Sequence, residues 1–218
     1  MESIAALMKR ERLVVIARGI PTDALVRAVA ACVDAGVALL ESTFDHTLPD
    51  PIRDNAEKLR ALNRALGGRV RLGAGTVLSA DEVRAAGDAG AEYIVCPHTD
   101  ERVIAEAKRL GLAVIPGALT PTEIVRAWDL GADLVKLFPA DAMGLKYIQS
   151  LQMPLGHIPL LAASGMRPEV IPDYLRAGVS VVAVSSSILQ KALLAREDYD
   201  GIRGAAQAHI DAVKSVRP

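Results

Sequence analysis

Leu130-Gly131-Ala132-Asp133-Leu134-Val135-Lys136-Leu137-Phe138-Pro139 is one of five copies of a phrase: a small residue or leucine, a glycine, one or two further residues, then an apolar run. The others are AGVALLEST from Ala35, AGAEYIVCP from Ala89, LGLAVIPG from Leu110 and AGVSVVAVSS from Ala177. In each, the glycine (Gly36, Gly90, Gly111, Gly131 or Gly178) follows a helical pattern and precedes a β-rich run. A left-handed residue commonly ends a helix at such a place. Glycine-to-glycine spacings are 21 residues from 90 to 111 and 20 from 111 to 131; the gaps 36 to 90 and 131 to 178 each hold about two such units. A repeated unit of helix, tight turn and strand argues for a parallel sheet.

Working outward from these phrases, eight strands are predicted to begin near Leu13, Val37, Val70, Glu92, Leu112, Asp133, Ile158 and Val179. Helices are predicted over residues 22–35, 51–66, 80–89, 100–110, 121–130, 145–152 and 168–177. Ser79, Asp100 and Thr120 can cap the helices they precede. Arg167 also precedes a predicted helix start, and Pro121 and Pro168 suit a first helical turn. Residues 198–213 read as a closing helix, and residues 4–10 as a short helix across the barrel bottom. Eight strand–helix units in 218 residues predict an α/β fold: one compact (β/α)8 TIM barrel domain spanning 1–218, with a short N-terminal helix and a C-terminal closing helix. The alternative, an open doubly wound sheet, would usually carry a Gly-rich dinucleotide loop after its first strand; LVVIARGI has only Gly19 there.

Composition agrees. Hydrophobic residues make up 51% of the chain and aromatics only 3%, so the core is built from Ala, Val, Leu and Ile, which suit buried parallel strands. A formal net charge of −1 without long like-charge blocks gives no footprint for nucleic acid or an anionic membrane. Two cysteines, Cys32 and Cys96, make neither a metal framework nor a disulfide scaffold, and Cys32 falls in a helical pattern as a small core residue. No apolar run reaches the length of a membrane span and the N-terminus does not read as a signal peptide, so a cytoplasmic protein is expected.

Barrels of this kind keep their chemistry at the C-terminal ends of the strands. Polar residues that interrupt or directly follow the apolar runs are Arg18, Glu41, Thr43, Asp45, His46, Thr76, Cys96, His98, Lys136, Asp141, Ser164, Ser185, Ser186 and Ser187. Two lie within strands. Lys136 alternates in phase with Leu134 and Phe138, so if that face is the barrel interior its amine is desolvated, which favours the neutral form that attacks a carbonyl to give a Schiff base. The bland alternative is a lysine whose head snorkels out of the mouth. Glu41 ends the run Val37-Ala38-Leu39-Leu40 and shares phase with Leu39 and Thr43. It suits either an ion pair with the lysine or the proton shuttle that imine chemistry needs.

At these residues the sequence resembles the class I aldolases that cleave 2-keto-3-deoxy-6-phosphogluconate and 4-hydroxy-2-oxoglutarate. LLESTF at 39–44, GAGTVL at 73–78, IVCPHTD at 94–100, IPGALTPTEI at 115–124 and VKLFPAD at 135–141 are similar, in order, to motifs of that family. The resemblance implies a lyase that splits such a 4-hydroxy-2-oxo acid to pyruvate and an aldehyde, with no cofactor and no metal. It implies Lys136 as the Schiff-base lysine, Glu41 as the general acid/base working through a water, and Arg18, Thr76, Pro97 and Phe138 around the 2-oxo acid. A homotrimer is implied by resemblance alone. The chain departs from the family pattern at the far end of the substrate. Asp45 and His46 stand where an arginine often follows the second strand, which makes Asp45 a candidate substrate contact. Ala162-Ala163-Ser164-Gly165 replaces P-T-G-G, and Val184-Ser185-Ser186-Ser187 replaces a Gly-rich turn ending in serine. Ser164, Gly165, Ser185 and Ser186 are therefore the candidates for a phosphate or other distal group, with fewer glycines to let backbone approach it.

Two other readings compete. Glu41, Asp45, His46 and His98 near the mouth form a reasonable divalent-metal set, which would make a metal-assisted sugar-acid enzyme. An aldolase for a non-phosphorylated 2-keto-3-deoxy sugar acid keeps the chemistry and changes the distal end. A barrel that only binds an acidic metabolite is disfavoured by the presence of both Lys136 and Glu41.

Overall fold

The computed structural model describes residues 2–216. Nine strands, all paired in parallel, run β1 (Leu13–Ala17), β2 (Leu39–Thr43), β3 (Arg71–Gly75), β4 (Tyr93–Val95), β5 (Ala113–Ile115), β6 (Gly117–Ala118), β7 (Val135–Leu137), β8 (Leu160–Ala163) and β9 (Val181–Val184). Their order around the sheet is β5-β4-β3-β2-β1-β9-β8-β7-β6. The two ends of that order are halves of one stave, interrupted at Pro116, which has no N–H to give the ladder. Backbone bonds from Asp133 N to Val114 O and from Lys136 N to Pro116 O close the ring between β5 and β7. The eight predicted strands are therefore present as a (β/α)8 barrel.

The helices are α1 (Ile4–Glu11), α2 (Thr22–Asp34), α3 (Pro51–Leu66), α4 (Ala80–Asp88), α5 (Glu101–Arg109), α6 (Pro121–Asp129), α7 (Ala140–Leu155), α8 (Ile171–Arg176), α9 (Lys191–Ala195) and α10 (Tyr199–Lys214). The repeated glycines do what their position implies: Gly36, Gly90, Gly111, Gly131 and Gly178 all have positive φ. The residue after each glycine donates its N–H five residues back, as Val37 does to Cys32 and Leu112 to Ala107. That bond closes the helix in a Schellman turn. It also explains why several strands begin a residue or two after the predicted start, since the residues at Val37, Leu112 and Val179 still belong to the turn. Ser79, Asp100 and Thr120 cap α4, α5 and α6, and Thr120 with Glu123 completes a reciprocal capping box.

Two helix expectations need correction, and one short helix is added. Arg167 and Pro168 do not open a helix: residues 167–170 form a turn, with Val170 N donating to Arg167 O, and α8 starts at Ile171. The helix predicted over 145–152 extends from Ala140 to Leu155 and is broken at Gly144, whose φ of 71° is closed to most side chains. The five-residue α9 was not anticipated; it is too short to show a helical period.

Two apolar clusters divide the core. The larger lies between sheet and helices. The smaller fills the barrel with residues of one strand phase, among them Val14, Ile16, Leu39, Tyr93, Ile115, Leu134, Leu161 and Ala183. Ile4 and Met8 of α1 join this inner cluster, as the predicted bottom helix requires. β3 contributes almost no side chain to it. A Cβ at Gly73 would meet the Tyr93 ring at 2.2 Å, and one at Gly75 would meet Glu41 Oε1 at 2.5 Å. These two glycines leave the space that the inward-pointing tyrosine and carboxylate occupy.

Candidate active site

Lys136 and Glu41 share the inner strand phase with Leu134 and Leu39, and both are buried, at 5% and 1% exposure. Lys136 does not snorkel outward. It sits on the floor of a cleft of about 1250 Å³ that opens at the C-terminal ends of the strands. Its Nζ lies 5.2 Å from the centroid of the Phe138 ring, which stands 40% exposed at the rim. The opposite wall holds Arg18, whose Nη2 donates to Thr76 Oγ1 at 2.9 Å, and Pro97. Thr76 itself adopts a left-handed φ of 58° directly after β3, which turns its hydroxyl toward Arg18.

Glu41 is buried next to this cleft, near the charges of Lys136 and Arg18, and does not line it. Burial pushes its carboxyl above the ordinary carboxylate range, and the charges of Lys136 and Arg18 oppose that push. Its Oε1 has no protein hydrogen-bond partner. A carboxyl with raised proton affinity near an amine is a candidate to hold and release a proton during imine chemistry. Cys96 is close enough to feel both groups, yet burial pushes its thiol up to about 12, which makes it a poor nucleophile.

The distal half of the cleft is lined by the loops after β8 and β9, including Ser164, Gly165, Ser185 and Ser186. Two of the serines in these loops are already engaged. Ser185 Oγ donates to Ile16 O, and Ser187 Oγ lies 2.9 Å from both Met166 O and His209 Nε2. Among the described residues the hydroxyls of Ser164 and Ser186 face no protein acceptor and stay available to a ligand. Ser164 has a φ of 89°, a conformation suited to the glycine that the family pattern puts there. A non-glycine residue in that region costs about 1–3 kcal/mol. Ser164→Gly should therefore stabilise the fold by about 1 kcal/mol, net of the freedom glycine adds to the unfolded chain. A denaturant midpoint that stays put or falls would refute the strain.

The remaining candidates separate from this cleft. Asp45 accepts from the Thr47 N–H at 3.1 Å and its hydroxyl at 2.6 Å, which hold its carboxyl below the usual range; it is not among the residues lining the cleft. His46 Nε2 meets Glu82 Oε1 at 2.9 Å, and His98 is exposed. Among the described residues no group of three or more His, Cys, Asp and Glu converges as a metal site would, so the proposed metal set does not assemble.

Sequence reasoning missed Arg167, Tyr174, Gln190 and His209 on the distal wall. The signal for His209 was available: it lies on the buried face of α10 with Ile202, Ala206 and Val213. Its Nδ1 faces Ala205 O at 2.7 Å, and its Nε2 meets Ser187. With the Ser187–Met166 contact, α10 thereby ties the loops after β8 and β9 together.

A buried amine at a barrel mouth with a buried carboxyl near it is the pair of groups that an imine-forming lyase uses. Known proteins match it. A family model described as KDPG and KHG aldolase covers residues 4–205. The chain is similar to the 2-dehydro-3-deoxy-6-phosphogalactonate aldolase of Escherichia coli strain K12, at 33% identity over 177 residues, 81% of this chain and 83% of that one. It is similar to the 2-dehydro-3-deoxy-phosphogluconate aldolase of Haemophilus influenzae, at 30% identity over 181 residues and 82% of each chain. A solved structure of native KDPGal superposes with a TM-score of 0.83 at 30% identity, over 93% of this chain and 94% of that one. The chain belongs to the KDPG and KHG aldolase family. It is an aldolase, a carbon–carbon lyase.

Proposed function

We propose that the substrate is a six-carbon 2-keto-3-deoxy acid phosphorylated at its far end, of gluconate or galactonate configuration, and that the products are pyruvate and glyceraldehyde 3-phosphate. The carrying observation is Lys136, 5% exposed on the cleft floor near the buried Glu41. Lys136 Nζ adds to the C2 carbonyl, and the carbinolamine loses water to give an iminium. Glu41 takes the C4 hydroxyl proton through a water as the C3–C4 bond breaks, and the bond's electrons pass into the iminium to leave an enamine. Return of a proton to C3 gives the pyruvate imine, which water hydrolyses. Arg18 clamps the carboxylate, Thr76 orients it, and Pro97 with Phe138 sandwiches the three-carbon fragment. Ser164, Gly165 and Ser186 receive the phosphate, with Ser185 and Ser187 holding the loops that carry them.

Relatives named for both the galactonate and the gluconate acids support this substrate class. The two acids differ in configuration at C4, the carbon whose bond breaks. A non-phosphorylated sugar acid is the second reading, favoured by Ser164 standing where the family pattern has a cradle glycine. The test is kcat/KM for both C4 epimers, each with and without its phosphate. Each charge-assisted hydrogen bond is worth about 1.5–3 kcal/mol, so the phosphorylated acids should be preferred by roughly 10²-fold or more. Equal values for free and phosphorylated acids would move the assignment to the second reading.

We further infer a homotrimer working in the cytoplasm. Similarity to a designed cage made by fusing symmetric oligomeric domains, at 29% identity and a TM-score of 0.82, supports a symmetric assembly. Leu48, Leu78 and Met143, exposed beyond the C-terminal ends of strands, offer apolar surface for it. Two free buried cysteines suit a reducing compartment, and no helix among the described residues is long and apolar enough to cross a membrane.

A further inference from the structure

Tyr93 is the largest side chain fully enclosed in this protein, and its hydroxyl has no protein hydrogen-bond partner. A buried hydroxyl without a partner costs about 1–3 kcal/mol, and an apolar ring would fill the same space without that cost. The register gives the hydroxyl a setting. Glu41 of β2 pairs with Gly73 of β3, and Gly73 pairs with Tyr93 of β4, so the carboxylate and the ring stand in one layer of the barrel interior with no side chain between them. The ring covers Gly73 and Glu41 Oε1 covers Gly75. Two buried oxygens without protein partners thus stand in neighbouring rungs of the interior, near enough for the Glu41 charge to act on the Tyr93 hydroxyl, and a buried water normally bridges such groups.

We propose that Tyr93 is a positioning residue for Glu41: its hydroxyl donates to a buried water, that water donates to Glu41 Oε1, and Oε2 is left to serve the substrate. The groups facing Glu41 are then Lys136 from β7, Arg18 from the loop after β1, and Tyr93 and Cys96 from β4 and its C-terminal end. Burial and the nearby charges of Glu41 and Glu92 push the Tyr93 hydroxyl well above its ordinary value, so it remains a donor across the working pH range. Cys96 likewise stays protonated. The two cations favour the carboxylate, and so does Tyr93, against the burial that raises its proton affinity. The inference rests on the aldolase reading of Glu41 as the proton carrier.

Tyr93→Phe removes one oxygen and keeps the packing. The infrared carboxylic acid band that disappears in Glu41→Gln reports the protonation of Glu41 directly, without substrate. In Tyr93→Phe this band should persist to a pH roughly one unit higher than in the parent protein, the size of one hydrogen bond to a carboxylate. The acid limb of the kcat/KM profile should move upward by the same amount, with little change in KM at the pH optimum. A band that titrates at the same pH in both proteins overturns the proposal. A band that moves while the acid limb stays fixed leaves the Tyr93–Glu41 link standing and sinks Glu41 as the proton carrier.

Discussion

Lys136→Arg is expected to lower kcat by roughly 10⁴-fold or more while the protein still folds. Arginine keeps the positive charge beside Glu41 but cannot form the imine, so the substitution separates the two roles of a buried lysine. If Lys136 served only as an ion-pair partner, arginine would preserve much of the activity. Borohydride trapping gives the same answer by another route. With saturating pyruvate the parent protein should gain the mass of one reduced pyruvyl group on Lys136, and Lys136→Arg should gain none. Absence of an adduct on the parent protein would sink the Schiff-base mechanism altogether. The cleft supplies the geometry that makes the expectation large: a nearly enclosed amine, a carboxyl near it and one open direction for a carbonyl carbon.

Glu41→Gln should cost about 10²–10⁴-fold in kcat, the range for losing a positioned general acid/base, while borohydride still traps pyruvate, though more slowly. Stability should move the other way, with a definite dependence on pH. The folded-state carboxyl holds its proton more tightly than the unfolded one, because burial outweighs the help from Lys136 and Arg18. Between the unfolded value and the raised folded value the native state binds more protons, so raising pH through that window weakens the parent fold. Glutamine does not titrate. The melting temperature of Glu41→Gln relative to the parent should therefore rise as pH climbs through that window, from its baseline at pH values below the ordinary carboxylate range. A difference that stays constant across the window would show that burial does not control this carboxyl.

Much of this was legible in the chain because the same local chemistry is written five times. A glycine that closes a helix and an apolar run that starts a strand are short-range signals, and the positive φ at Gly36, Gly90, Gly111, Gly131 and Gly178 is their direct counterpart. The strand phase was equally readable: Leu134 and Lys136, like Leu39 and Glu41, alternate inward, so the two reacting groups could be put on one side of a sheet before their meeting was seen. What was not legible depends on distance through space. Asp45 looked like a substrate contact by its position after β2, but the nearby Thr47 captures it. His46 looked like a metal donor, but Glu82 of α4 faces it in the turn after β2. Tyr93 stands in the apolar run after Gly90, and only the register through Gly73 brings it into line with Glu41. Glycine inside a strand was the available clue, since an absent side chain makes room for someone else's.

The helix α1 packs Ile4 and Met8 into the inner cluster at the base of the barrel, and the cleft opens at the other end. Traffic through that opening must be sequential. On the proposed imine chemistry, the three-carbon fragment stays covalently held on Lys136 at the bottom of the passage, and the aldehyde lies between it and solvent. The aldehyde therefore departs first and pyruvate last, and in the synthetic direction pyruvate must load before its partner. The covalent bond thus sets the kinetic order, and the packed base of the barrel leaves both products to depart through the same cleft.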